Sequence, residues 1–294
     1  MQLPIFEYFS PTSIDQAVAM LLEFGKEARV LAGGTDLLVK MKQRAIKPLP
    51  KFIINIKEIP GMNMLTYSEE DGLHIGALTK IHEIKSFLPI QQYFVGLSHA
   101  AGLLSTPQVR NIATIGGNLC NASPAAETAP ALLTLSAKAK IRGKGGDRVI
   151  PLSDFFVGPS QSIMEHGELL TEIMVPNPSP NSTGVYLKHG KRLSDIAIVG
   201  VGISLTMEKD ICSDIKIYFA SAAPIPMRAV KTEDVIKGQQ INDKLLEEAC
   251  KVASQECQPM DDIRAKADYR REKIGTLLKD AVKQGVLYIK LGGS

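Results

Sequence analysis

Two glycine pairs constrain this 294-residue chain more than any other feature. One lies in the segment Ala-Gly-Gly-Thr-Asp at residues 32–36, and the other lies in Thr-Ile-Gly-Gly-Asn at residues 114–118. Glycine leaves backbone N–H groups unobstructed, and a turn from a strand into a helix presents such groups where anions bind. Together the turns predict one extended anionic ligand gripped at two places, whereas the first turn alone is equally typical of an ordinary tight connection.

The residues around the first glycine pair predict a helix, a strand, the turn, a second helix and a second strand. Thr12 or Ser13 can cap the first helix, and Gly25 can end it. Its apolar residues recur at helical spacing and are Ile14, Ala17, Val18, Leu21 and Leu22. The strands are predicted at residues 29–32 and 52–56, and the second helix at residues 37–43.

A proline-rich segment at residues 176–184 predicts a domain boundary, because it contains three of the 17 prolines and no apolar side chain. Before it, we expect a strand at residues 73–77, helices at 79–87 and 93–104, and a hairpin turn at 143–147. After it, we expect antiparallel strands at residues 196–206 and 215–221 and helices at 244–255 and 268–283.

The fold class is therefore predicted to be α+β, with two domains. Residues 1–177 form the ligand-binding domain, with subdomains of about 1–57 and 58–177, and residues 178–294 form a C-terminal sheet with helices. The Gly200-Val201-Gly202 segment lacks the third glycine and the following helix of a dinucleotide fingerprint, so it is interpreted as part of a strand.

Charge and apolar patterning narrow the functional class. The 34 basic and 31 acidic residues are spread along the chain, which does not indicate nucleic-acid binding. Apolar runs are interrupted well before ~18 residues and the N-terminus lacks a basic signal region, so we expect a soluble cytoplasmic protein. The four cysteines form no Cys-x-x-Cys pair, and we expect no zinc or iron–sulfur cluster within this chain.

No side-chain catalytic motif stands out. A nucleophile elbow, a metal-binding histidine pair and a P-loop are missing from the sequence, and the five histidines are scattered. A chain with two glycine turns and no acid–base cluster indicates that a bound cofactor carries the chemistry while the protein binds and orients it.

Both glycine motifs, with Asn121-Ala122-Ser123-Pro124 after the second, resemble the FAD-binding medium subunit of molybdenum hydroxylases. That family includes the flavin subunits of bacterial carbon monoxide and nicotinate dehydrogenases and the flavin domain of xanthine dehydrogenase. The resemblance covers almost the whole chain. It includes residues 105–111, 188–197, 222–229 and 262–271.

The resemblance implies a vanillyl-alcohol-oxidase (PCMH) type FAD domain of two α/β subdomains, with the FAD pyrophosphate against both glycine turns. Asp36 would cap the following helix or accept a hydrogen bond from a cofactor hydroxyl. The expected FAD-binding residues are Leu31, Ala32, Gly33, Gly34, Thr35, Asp36, Leu37, Leu104, Ala113, Thr114, Ile115, Gly116, Gly117, Asn118, Ala122, Glu127, Ile163, Met164 and Lys188.

Several of these positions carry particular expectations. Glu127 stands at the family's aspartate position and would accept hydrogen bonds from ribose hydroxyls, unless it is a surface residue near a helix start. Lys188 matches a lysine near the flavin ring system, unless it is a solvated strand lysine. Leu104 replaces an aromatic residue of xanthine dehydrogenase, and Ile163 and Met164 fall in the loop that approaches the ring, as core or cofactor contacts. Cys120 is expected to be a small buried side chain.

The resemblance also implies partners. An iron–sulfur small subunit and a molybdopterin large subunit would deliver electrons, and FAD here would pass them to NAD or another acceptor. No residue of this chain is expected to be catalytic. Two alternatives stay open: a self-contained flavin oxidoreductase with its own substrate pocket, and a cofactor-free assembly or scaffold protein.

Overall fold

The computed structural model describes residues 2–292, and its first part is a small parallel sheet with helices. The strand order is β1-β3-β2, and both strand pairs are parallel. The strands are β1 (Glu7–Phe9), β2 (Ala28–Leu31) and β3 (Phe52–Asn55), and the helices are α1 (Ile14–Phe24) and α2 (Leu37–Lys42). Ser13 caps α1 by accepting a hydrogen bond from the Gln16 N–H, and Gly25 ends the helix at φ 51°, as the sequence predicted.

The second part is a five-stranded sheet in the order β4-β5-β10-β6-β7, in which every pair is antiparallel. Its strands are β4 (Leu65–Ser68), β5 (Gly72–Gly76), β6 (Lys138–Gly143), β7 (Gly146–Pro151) and β10 (Leu169–Val175). A separate hairpin consists of β8 (Phe156–Gly158) and β9 (Gln161–Ser162). The helices are α3 (Ile81–Ser86), α4 (Leu88–Tyr93), α5 (Val95–Leu103), α6 (Pro107–Arg110), α7 (Ile115–Cys120) and α8 (Thr128–Thr134).

Two predictions for this part need comment. The helix predicted at residues 93–104 is present as α5, and the additional helix α4 precedes it, separated at Phe94, whose φ of −126° and ψ of 49° are not helical. The glycine stretch predicted as an open turn at residues 114–118 contains the first residues of α7.

The C-terminal part is a four-stranded antiparallel sheet in the order β11-β12-β13-β14, covered by helices. The strands are β11 (Ser182–His189), β12 (Val199–Glu208), β13 (Ile211–Ala220) and β14 (Met227–Arg228). The helices are α9 (Val230–Ile236), α10 (Asp243–Glu256) and α11 (Ala267–Lys290). The architecture confirms the predicted α+β class, and α9 is an element that the sequence pattern did not indicate.

The second and third parts share packing across the predicted boundary at residue 177. Tyr186 of β11 is fully buried in the core that also contains Phe94 and Leu132. Gly96 of α5 lies so close to Gly184 of β11 that a β-carbon at residue 96 would stand 2.9 Å from the Gly184 carbonyl carbon. The C-terminal sheet therefore packs against helix α5, which ends one residue before Leu104 in the wall of the cavity described below.

Candidate functional site

A cavity of about 840 Å³ lies where the three parts meet. Its wall contains both glycine turns and residues from the loop between β11 and β12. The residues expected at an FAD site that line it are Ala32, Gly33, Gly34, Thr35, Asp36, Leu37, Leu104, Ala113, Thr114, Gly116, Gly117, Asn118, Glu127 and Met164. The remaining expected residues, which do not line it, are Leu31, Ile115, Ala122, Ile163 and Lys188.

The two glycine turns are in direct contact, which is why the cavity can contain both. A β-carbon at residue 33 would overlap the Ile112 carbonyl oxygen and stand 2.9 Å from the Ala113 α-carbon. Gly34 has a φ of 72°, a left-handed conformation that glycine adopts without strain. Glycine is thus required at residue 33 because the backbone of Ile112 and Ala113 lies too close for a side chain, and at residue 34 because the turn has a left-handed conformation.

The first turn presents free backbone donors. Among the hydrogen bonds of residues 2–292, none is donated by the amides of residues 33–36. Asp36 occupies the N-cap position of α2, but its side chain makes no capping bond and instead pairs with Lys40 at 2.7 Å. The expectation that Asp36 caps α2 is therefore wrong. Four consecutive unpaired N–H groups next to a cavity form a site that favours an anion.

At the second turn, the four amides of residues 115–118 all donate within the protein, which corrects the prediction of a second amide cradle across both glycines. Thr114 caps α7, because its Oγ1 accepts a hydrogen bond from the Gly117 N–H at 3.2 Å. The amides of Ile115 and Gly116 donate to the carbonyls of Thr79 and Ala77 at 3.0 and 2.9 Å. A capping threonine turns the glycine pair into the first turn of a helix, and the helix amides point into the protein.

The second turn leaves space in the cavity at Gly117 and supplies a hydrogen-bond donor from the Asn118 side chain. A β-carbon at Gly117 would approach only the Thr114 Oγ1, at 2.9 Å, and the residue faces the cavity. The Asn118 Oδ1 accepts a hydrogen bond from the Thr128 hydroxyl at 2.5 Å. That bond orients the Asn118 amide, whose NH₂ group is then the donor available to a ligand.

Two cations on the cavity wall were missed by the sequence reasoning. Lys40 of α2 reaches across to Asn121, with Nζ 2.6 Å from the Asn121 Oδ1, and so connects the first part of the fold to the second. Arg29 of β2 donates to the carbonyl oxygens of Lys26 and Ala28, and burial lowers the pKa of its guanidinium. In the sequence, these two cations could have been assigned to the site only from their closeness to the first glycine pair, which Arg29 precedes and Lys40 follows.

Glu127 and Lys188 form a buried ion pair, so the alternatives of a surface glutamate and a solvated lysine are both wrong. The Lys188 Nζ lies 3.1 Å from the Glu127 Oε1, and the two side chains are 2% and 9% exposed, respectively. Burial raises the pKa of the Glu127 carboxyl, and the adjacent Lys188 ammonium opposes that shift. Only Glu127 lines the cavity, and Lys188 lies behind it.

The other residues expected to bind FAD lie in different environments. Ile115 is fully buried in the core, and Ile163 is exposed on the surface. Ala122 has a φ of 46°, and its carbonyl accepts a hydrogen bond from the Ser160 N–H. Cys120 opens onto the cavity beside Met164 rather than being enclosed in the core, which corrects the sequence-based expectation.

The arrangement separates donors from an acceptor along one cavity. Free amides gather at the first turn, together with Arg29 and the Lys40–Asp36 ion pair, whereas the Glu127 carboxylate belongs to a different wall. A ligand that carries phosphate in one place and hydroxyl groups in another matches this distribution of charge. The volume is also in the range of cofactor sites, which is about 300–1,000 Å³.

Within residues 2–292, no three His, Cys, Asp or Glu side chains gather in a way that could hold a metal ion. In the same part of the chain, every helix is too short or too polar to span a membrane.

Comparison with known proteins identifies the family. The family model described as "FAD binding domain in molybdopterin dehydrogenase" matches residues 4–178. The one described as "CO dehydrogenase flavoprotein C-terminal domain" matches residues 185–284. The carbon monoxide dehydrogenase medium chain of Hydrogenophaga pseudoflava is 30% identical, over 95% of this chain and 96% of the relative. The glyceraldehyde dehydrogenase medium chain of Sulfolobus acidocaldarius is 32% identical, over 97% and 99%.

A solved structure agrees with the sequence comparison over the full fold. Carbon monoxide dehydrogenase from Hydrogenophaga pseudoflava, in a form that lacks the Mo-pyranopterin moiety of its molybdenum cofactor, contains a chain that superposes with a TM-score of 0.94. The two chains are 30% identical, and the match covers 98% of this chain and 99% of that one. The chain therefore belongs to the family of FAD-binding medium subunits of molybdenum hydroxylases, and it is a subunit of an oxidoreductase.

Proposed function

We propose that FAD occupies the cavity, with its pyrophosphate at the first glycine turn. The observation that carries this assignment is the row of unpaired amides at residues 33–36 beside a cavity of cofactor size. Lys40, paired with Asp36, lies at the same end of the cavity, and backbone amides with a nearby ammonium group suit a doubly charged phosphate pair.

The other contacts to FAD follow from the remaining polar groups. Glu127 would accept hydrogen bonds from cofactor hydroxyls through its second carboxylate oxygen, because Lys188 pairs with the first. Asn118 would donate through its NH₂ group, since Thr128 holds its carbonyl oxygen. Leu104, Ala113 and Met164 supply apolar wall and exclude water.

Bound FAD would supply the ability to accept electrons from one redox partner and release them to another. In this proposal the residues of the chain do not transfer protons or form covalent intermediates. They bind the cofactor, orient it and shield it. Residues 1–177 act as the FAD-binding domain, and residues 178–294 act as a C-terminal domain that supports it.

We also propose that the electrons come from partner chains. The similar proteins are named medium chains of dehydrogenases, and a medium chain belongs to an assembly with other chains. By that analogy, an iron–sulfur small subunit delivers electrons that a molybdopterin large subunit takes from substrate, and NAD or another acceptor removes them here. A cytoplasmic location is part of the same proposal.

Absorption spectroscopy of the purified chain tests the cofactor assignment. We expect flavin bands in the protein as isolated or after addition of FAD, and activity with NADH or artificial dyes at most. Absence of any FAD binding would contradict the proposal and favour a cofactor-free scaffold protein. Turnover of an organic substrate by the isolated chain would instead favour a self-contained oxidoreductase.

Co-purification tests the partner assignment. A tagged chain expressed in its native cells should bring down two further subunits that contain iron, acid-labile sulfide and molybdenum. Recovery of the flavin-loaded chain alone, under conditions that preserve weak complexes, would contradict the proposed electron route.

A further inference from the structure

Lys188 is the most deeply enclosed cation beside the cavity. Its Nζ donates to three acceptors: the Leu103 carbonyl at 2.7 Å, the Asp195 carbonyl at 2.9 Å and the Glu127 Oε1 at 3.1 Å. An ammonium group has three N–H donors, so all three are used within the protein. None is left for a ligand, although sequence resemblance places Lys188 near the flavin ring.

The three acceptors belong to three separate walls of the cavity. Leu103 ends α5 and precedes the lining residue Leu104, and Glu127 lies directly before α8. Asp195 belongs to the loop between β11 and β12, between the lining residues Ser194 and Ile196. A single side chain from the C-terminal sheet thus connects the end of α5, the loop and the carboxylate that faces the cavity.

We propose that Lys188 is a positioning residue that acts through Glu127, holding its carboxylate ionised and aimed into the cavity, rather than a residue that contacts FAD. This inference rests on the proposed binding of FAD in the cavity. A buried carboxylate that loses its cation is strongly destabilised, so it would become protonated or turn away. In either case it would lose its value as a charged acceptor for cofactor hydroxyls.

The titratable groups that face Glu127 are few. Lys188 and Tyr186 both come from β11, and the other partners of Lys188 are neutral carbonyl groups. The Tyr186 hydroxyl is buried and has no hydrogen-bond partner, and burial followed by the charge of Glu127 raises the pKa of this phenol well above its usual value. Tyr186 therefore stays neutral in the working pH range, which leaves Lys188 as the cation that counters the burial of Glu127.

Binding of FAD to four full-length variants tests the proposal: K188M, E127Q, the double variant K188M/E127Q and the control K216M. Lys216 lies on β13, and its Nζ donates a hydrogen bond to the Ser136 hydroxyl, away from the residues that line the cavity. We expect E127Q to weaken FAD binding roughly tenfold at every pH, the value of a charged hydrogen bond. K188M should weaken it most near pH 6 and progressively less towards pH 9, because its unpaired Glu127 ionises only at higher pH.

The double variant separates positioning from direct contact. If Lys188 acts through Glu127, K188M/E127Q binds FAD as E127Q does, and its affinity no longer depends on pH. If Lys188 contacts FAD itself, K188M lowers FAD affinity by the same factor in the wild-type chain and in the E127Q chain, which would overturn the inference. Wild-type affinity of K188M would overturn it as well. A loss that is the same at all pH values but is absent in the E127Q background would instead support the inference, with the carboxylate turned away rather than protonated.

Thermal unfolding of the FAD-free chain gives a readout that does not depend on the proposed function. The folded-state pKa of Glu127 lies above its unfolded value, so its contribution to stability is greatest below the unfolded pKa and declines as pH rises through the folded pKa. Without Lys188 this decline should be steeper, and K188M should melt about 10 °C lower than wild type at neutral pH.

The double variant should recover most of that loss, because it removes both buried charges together. If K188M does not fold, a folded double variant still supports the inference, whereas failure of both would overturn it. If the wild-type chain binds no FAD, the proposed function fails, and the melting data alone then decide whether Lys188 holds Glu127 ionised.

Discussion

At the scale of single residues, the glycines of the two turns are required for more than one physical reason. Gly33 and Gly116 are required by neighbouring backbone, because a β-carbon on Gly116 would stand 2.7 Å from both the carbonyl oxygen and the β-carbon of Ala77. Gly117 has no such neighbour and faces the cavity. Loss of FAD binding by a variant of Gly33 or Gly116 would therefore not distinguish a lost ligand contact from a damaged fold.

Alanine substitutions of Gly116 and Gly117 distinguish a lost ligand contact from a damaged fold. In G117A, the helix gains about 1 kcal/mol from alanine and loses about 1 kcal/mol from the disturbed Thr114 cap, so the melting temperature should change little. The added methyl group enters the cavity, and FAD affinity should fall roughly tenfold. G116A should instead lose about 1–3 kcal/mol of stability through overpacking. Melting curves without FAD and titrations with FAD check both; a G117A variant with unchanged affinity would place the cofactor elsewhere.

At the scale of elements, α2 follows the first glycine turn and α7 begins at the second, and both turns line the cavity. Lys40 on α2 pairs with Asp36 one turn earlier and bonds to Asn121 just after α7. The side chain is about one-third exposed, so its charge is partly screened by solvent. Its role is therefore better measured through salt dependence than through stability.

Removal of this charge should weaken FAD binding in a salt-dependent way. We expect K40M to raise the dissociation constant about three- to tenfold at low ionic strength, with a smaller difference at 0.5 M salt, because added salt screens the attraction between ammonium and phosphate. K42M is the matched control, since Lys42 is exposed on the same helix and does not line the cavity. Equal losses in both variants would show that general charge, and not the position of Lys40, favours FAD.

At the scale of the whole molecule, the cavity depends on packing between parts that the sequence separates. Tyr186 lies beyond the predicted boundary, yet it is buried in the core of the preceding part. Gly96 and Gly184 bring α5 and β11 into backbone contact across the same boundary. The C-terminal sheet is thus expected to be needed for the cavity to form.

Cleavage at the boundary tests this dependence. A protease site inserted after Pro178 lies in an exposed segment, and we expect the two fragments of the cut chain to elute together and to retain FAD. Residues 1–177 expressed alone should instead expose apolar surface, bind a hydrophobic dye and fail to retain FAD. A stable 1–177 fragment with wild-type affinity would show that this region is an independent cofactor domain.

The sequence by itself determined the regular elements around the first turn, the α+β class and the family, because apolar periodicity, capping residues and short motifs are local. It could not distinguish an open glycine turn from the capped start of a helix at Thr114, since both begin with the same residues. Only the tertiary structure decided that the first turn carries the free amides. It also decided that Lys188 lies buried behind Glu127, because hydrogen-bond partners far apart in the chain and burial from solvent exist only in the folded state.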